Sequence, residues 1–157
     1  MVTVHRQENV DNEKRFRGII EGLQSVGREF GFKLVYPIHP RARKQIQAFN
    51  IETDGLDLVE PVDYLSFLQL ESKAKLIFTD SGGVQEESCI MQVPCVTLRE
   101  NTERPETLEV NSNLLSGTTP EKILESAKTM IDKKSDWQNP FGSGNSAKQI
   151  LNHIMTC

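Results

Sequence analysis

Between Asp11 and Phe30 the apolar residues Phe16, Ile19, Ile20, Leu23, Val26 and Phe30 recur at three- and four-residue intervals. That spacing predicts an amphipathic helix, with Asp11 or Asn12 available to cap its start and Gly31 to close it. Shorter apolar runs, at Met1–Val4, Phe32–Tyr36, Leu56–Val59, Lys75–Thr79 and Cys95–Leu98, read as strands, and Val110–Leu115 as one more. Pro37 and Pro40 break the chain around Ile38-His39 before a helix over 41–49. Tyr64, Leu65, Phe67, Leu68 and Leu70 resume a helical period, and further helices are predicted over 84–91, 121–132 and 146–155. Pro120 occupies a favoured first-turn position, with Thr118 or Thr119 as cap.

Strands alternating with helices imply a Rossmann-like α/β fold, a parallel sheet with helices on both faces and right-handed crossovers. Ligands of such sheets bind beyond the carboxyl ends of the strands. His5, His39, Val62, Ser81 and the segment 99–106 each follow a predicted strand. One crevice lined by all of them is the expectation.

Composition narrows the partners. With 157 residues, 37% hydrophobic and 25% charged, the chain suits a single domain over 1–157. A net charge of −4 argues against nucleic acid as the main partner, because a phosphate backbone needs a clustered basic surface. Cys89, Cys95 and Cys157 show neither a disulfide framework nor a C-x-x-C zinc spacing, and buried thiols in a reducing cytoplasm are expected. No apolar run reaches the roughly 20 residues of a membrane span, and no signal-like segment opens the sequence, so a cytoplasmic protein is expected. A strand beginning at Met1 suggests a piece of a longer chain.

Within Thr79-Asp80-Ser81-Gly82-Gly83-Val84-Gln85-Glu86-Glu87, paired glycines let the backbone approach an anion, and the following helix offers free N–H groups. The plain alternative is a strand-to-helix turn whose glycines serve tight packing. Glu86 and Glu87 suit the first turns of a helix, yet Glu87 could also face the crevice and accept from ribose hydroxyls. Arg104, held by Pro105, is a candidate clamp for phosphate oxygens. His5 either contacts a diphosphate or assists proton transfer, or is a loop histidine satisfied by Glu8. His39 lies between prolines without an assigned role, and His153 reads as a surface residue. No Ser-His-Asp order, metal-ligand cluster or Walker-type lysine is visible, so neither a metal nor another cofactor is expected.

HRQENVD after the first strand, YPIHPR, EPVDYLSFL, TDSGGVQEES, VPCVTLRENTERPE and NPFGSGNSAKQI follow one another in order. Together they resemble the non-hydrolysing UDP-N-acetylglucosamine 2-epimerases. Those enzymes resemble GT-B proteins, two Rossmann-like halves around one active site, and this sequence is similar to the C-terminal half only. The resemblance implies that His5 contacts the substrate diphosphate and takes part in catalysis, and that Ser81, Gly82 and Gly83 bind phosphate. It also implies Glu87 on the ribose, Arg104 on the UDP moiety, and a uracil pocket near Phe67 with the backbone of Val62 at the base edge. Family members often carry Gln where Val62 stands. Epimerisation there inverts C2 by anti elimination of UDP and syn readdition, with acid/base carboxylates in the other half. The fragment alone is then expected to bind a UDP-sugar without turning it over, and the full-length protein to be a homodimer. A GT-B glycosyltransferase donor domain and a stand-alone nucleotide-binding module are the competing readings.

Overall fold

The computed structural model describes residues 1–156. Its strands are β1 (Val2–Thr3), β2 (Leu34–Pro37), β3 (Leu56–Val59), β4 (Ile77–Thr79), β5 (Cys95–Thr97) and β6 (Asn113–Leu115). Its helices are α1 (Gln7–Val10), α2 (Glu13–Phe30), α3 (Pro40–Ala48), α4 (Tyr64–Ser72), α5 (Gly82–Ile90), α6 (Pro105–Glu109), α7 (Pro120–Met130) and α8 (Ser146–Thr156). All pairing is parallel, in a four-stranded sheet ordered β1-β4-β5-β6 and a separate pair, β2-β3. β2 nevertheless lies against β1, and the buried Tyr36 hydroxyl donates to the Val4 carbonyl at 2.7 Å.

Successive strand residues point to opposite faces, and both faces are covered. Phe78 and Val96 join Phe16, Ile19, Ile20 and Leu23 of α2 and Ile123 and Ala127 of α7 in the larger apolar cluster. Ile77 and Cys95 join Val84 of α5, with Phe67 and Leu70 of α4 packed alongside, in the smaller one. The predicted layering, helices on both sides of a parallel sheet, is therefore the observed one.

Local chemistry sets the helix ends. Asn12, rather than Asp11, caps α2 by accepting from the Arg15 N–H at 3.1 Å, and Gly31 ends it with φ 64°. His39 caps α3 through Nδ1, which accepts from the Arg41 N–H at 3.1 Å, so the helix starts at Pro40. This gives His39 the structural role that its position between prolines left open.

Two segments to which the apolar pattern assigns no element are helical. Gln7–Val10 forms α1 directly after His5, and Pro105–Glu109 forms α6, so the strand expected over 110–115 begins only at Asn113. Both helices are shorter than two turns, too short for an apolar period to register in the sequence. α8 has no buried residue, and Ile150, Leu151, Ile154 and Met155 are exposed along it. Cys89 and Cys95 are free and buried as expected, while Cys157 lies outside the described residues. Among the described residues no helix is long and apolar enough to cross a membrane.

Candidate functional site

From β1 the chain builds outward to β2 and β3 on one side, then returns to lay β4 against the other side of β1. Beyond the carboxyl ends of β1 and β4 the strand order reverses, the place where open α/β sheets form a crevice. Thr3 and Thr79 close the two strands with a hydroxyl–hydroxyl bond of 2.6 Å. The next residues on each strand carry the polar site.

Asp80 is fully buried, and its carboxylate accepts from the backbone N–H of His5 at 3.1 Å and of Arg6 at 2.9 Å, and from Asn9 Nδ2 at 3.1 Å. A buried carboxylate is stable only with such donors around it. Here they fasten the start of α1 to the end of β4. The imidazole Nδ1 of His5 lies 3.4 Å from the same carboxylate, so Asp80 is its partner. Glu8, the partner that the sequence offered, instead binds the buried Arg99 at 2.7 Å. Burial pushes the His5 imidazole below its ordinary pKa; Asp80 opposes that shift, and His39, with ring centroids 5.7 Å away, and Arg6 reinforce it. The ring is accordingly neutral near pH 7, able to take up a proton.

His5 opens onto a hollow of about 350 Å³, whose walls include Val4, His39, Val62, Phe67 and Val84. The structure thus brings His5, Val62 and Phe67 together. Ser81, Gly82 and Gly83 adjoin that hollow between Asp80 and Val84 without lining it. Ser81 precedes α5 and makes no side-chain cap bond to it. A Cβ built on Gly83 would meet only the Ser81 hydroxyl, at 3.9 Å, and one on Gly82 would come no closer than 3.5 Å to Glu103. Neither glycine has positive φ. Tight packing, the plain account of these glycines, therefore does not explain them.

Arg104 lies over Gly82, where an added Cβ would sit 3.8 Å from the guanidinium carbon, and it ion-pairs with Glu86. No residue of the 99–106 segment, Arg104 included, lines the hollow, contrary to the expectation of a single crevice. Arg99 is buried between Glu8 and Glu103, at 2.7 and 2.8 Å. Glu87 accepts from the hydroxyl of Tyr64 at 3.0 Å, which ties α5 to α4.

Sequence reasoning missed Asp80, Tyr64 and Glu71. Asp80 ends an apolar strand, and a charge in that place is a signal that could have been used. Glu71 lies on the inner face of α4, fully buried, and neither carboxylate oxygen has a hydrogen-bond partner. Burial, helped by the charge of Glu87, raises its pKa to about 8.

A family profile described as UDP-N-acetylglucosamine 2-epimerase matches residues 1–155. The chain is 47% identical over 156 residues to the UDP-N-acetylglucosamine 2-epimerase of Methanocaldococcus jannaschii, covering 96% of this chain and 43% of that protein. It is 48% identical over 159 residues to the enzyme of the same name from Methanococcus maripaludis, covering 98% and 43%. The crystal structure of the M. jannaschii enzyme in complex with UDP-GlcNAc and UDP superposes with a TM-score of 0.92 at 45% identity, over 99% of this chain and 44% of that one. The chain thus spans less than half the length of the relatives it matches. With the profile matched almost end to end and the same parallel sheet in a solved relative, the chain belongs to the UDP-N-acetylglucosamine 2-epimerase family.

Proposed function

We propose that residues 1–157 are one UDP-binding domain of a UDP-N-acetylglucosamine 2-epimerase that interconverts UDP-GlcNAc and UDP-ManNAc. The observation that carries this reading is the pair Gly82-Gly83 at the open N-terminus of α5, beside His5, where the folded chain itself has no need of glycine. An anion approaching the first N–H groups of α5 does have that need.

In this reading the diphosphate sits on Ser81, Gly82 and Gly83, and His5 donates to it after taking up a proton. Arg104 exchanges Glu86 for the nucleotide, and Glu87 holds the ribose. Uracil enters the hollow at Phe67, with its edge on the backbone of Val62. Elimination across C1 and C2 of the sugar removes the C2 proton and releases UDP, and readdition restores the bond to C1 while a proton returns to C2 on the opposite face. This domain's task is to stabilise the departing UDP charge and keep UDP in place while the sugar reacts. The base for the C2 proton belongs to the remainder of the protein, as does much of the sugar pocket.

Calorimetric titration with UDP, ADP and GDP tests the binding half of the reading. Preferential UDP binding is expected, and no UDP binding at millimolar ligand would overturn it. For the longer protein, solvent deuterium should appear at C2 of UDP-GlcNAc. Its absence in an enzyme that still binds UDP would refute the epimerisation.

A further inference from the structure

Gln85 is fully buried on α5, one turn beyond Gly82. Its side-chain oxygen accepts from two donors, the Thr102 hydroxyl and Asn113 Nδ2, the latter at 3.2 Å. Its side-chain nitrogen is buried without a partner, so the contribution of this amide to the fold lies in what its oxygen accepts.

Both relays lead to one residue. Because the Thr102 hydroxyl donates to Gln85, its lone pairs face the other way, and the Arg104 N–H donates to it at 2.9 Å. Asn113 Nδ2 also donates to the Thr107 hydroxyl at 3.0 Å, and that hydroxyl donates to the Arg104 carbonyl at 2.7 Å. Asn113 is itself fixed on β6 by the Thr97 hydroxyl at 2.8 Å. The backbone of Arg104 is therefore held at its N–H and at its C=O, in an irregular conformation with φ −127° and ψ 62°. The same α5 that carries Gly82 and Gly83 carries the amide that aims Arg104 across them.

We propose that Gln85 is a positioning residue for nucleotide binding, whose buried amide oxygen fixes Arg104, through Thr102, beside the N-terminus of α5. The proposal rests on the UDP reading of that helix end. Glutamine suits the task because one neutral oxygen accepts two donors, whereas a buried glutamate would add charge next to Glu86 and Glu103.

The test is a set of titrations of the 157-residue chain with UDP and with uridine, followed by protein NMR shifts. Gln85→Met and Thr102→Val should each weaken UDP binding about tenfold and leave uridine binding unchanged, because only the phosphate side loses its arginine. In an Arg104→Ala background neither should weaken UDP further. Equal losses of UDP and uridine affinity, or losses that add fully to that of Arg104→Ala, would overturn the proposal by making Gln85 a general support of the fold. Thr102→Val leaves the buried amide in place, so it decides the question even where Gln85→Met does not fold. A wild-type chain that binds no UDP overturns the site itself, an outcome distinct from either of these.

Discussion

At the scale of single residues, the glycine turn and the buried carboxylate of Glu71 pull stability and function apart. Gly83 has open space where a Cβ would go and ordinary helical geometry. Gly83→Ala should therefore leave stability unchanged or raise it by up to about 1 kcal/mol, the usual helical preference for alanine. If the diphosphate sits on this turn as proposed, the same methyl would crowd its approach to the helix N–H groups, and UDP affinity should fall tenfold or more in calorimetry. Glu71 is the opposite case, a group that costs stability. With its pKa raised to about 8, the folded chain keeps a proton there that the unfolded chain has already lost above its ordinary value of 4.5. Stability thus falls as pH rises between those values. Glu71→Met should remove that slope and raise the melting temperature at pH 8 by about 2–10 °C, the equivalent of roughly 1–3 kcal/mol for an unsatisfied buried group. At pH 5 the gain should be smaller, and thermal melts at the two pH values check both statements.

Among elements, the pairing of α2 with α7 depends on the absence of side chains. Gly18 and Gly22 lie one turn apart on α2, and a Cβ at Gly18 would fall 2.6 Å from the Thr118 carbonyl oxygen, which cannot swing aside. Gly18→Ala should cost about 1–3 kcal/mol in denaturant unfolding while leaving UDP affinity intact, the reverse of Gly83→Ala. One pair is spaced a helical turn apart and the other is contiguous, but only their surroundings show which of them serves packing. Long periodic or uninterrupted apolar segments were legible: α2, α3, α4, α5, α7 and all six strands fall where the pattern puts them, to within a few residues. α1 and α6 were not, because a helix of one turn carries no period. Of the site, the strand-end rule brought His5, His39 and Val62 to one hollow but not Ser81 or the 99–106 segment, and Phe67 was placed there by the family resemblance. The partners of Glu8, Asp80 and Glu86 were not legible, since each is chosen by contacts between residues distant along the chain.

For the molecule as a whole, the sheet is covered by helices on both faces, whereas α8 buries none of its residues. The chain spans less than half the length of the relatives it matches. The β2-β3 pair shares no ladder with the other four strands, and the Tyr36 hydroxyl on the Val4 carbonyl is a buried polar link between the two groups. Tyr36→Phe leaves that carbonyl without its partner, and a loss of about 1–3 kcal/mol is expected in denaturant unfolding. The consequence reaches beyond stability. His39 and Val62 ride on one piece of sheet, His5 and the glycine turn on the other, so the seam runs through the floor of the hollow. A base gripped on one bank and a diphosphate on the other would act as a staple across that seam. The nucleotide would then stiffen the very domain that holds it, and amide exchange in β2 and β3 should slow on UDP binding more than in β4 and β5.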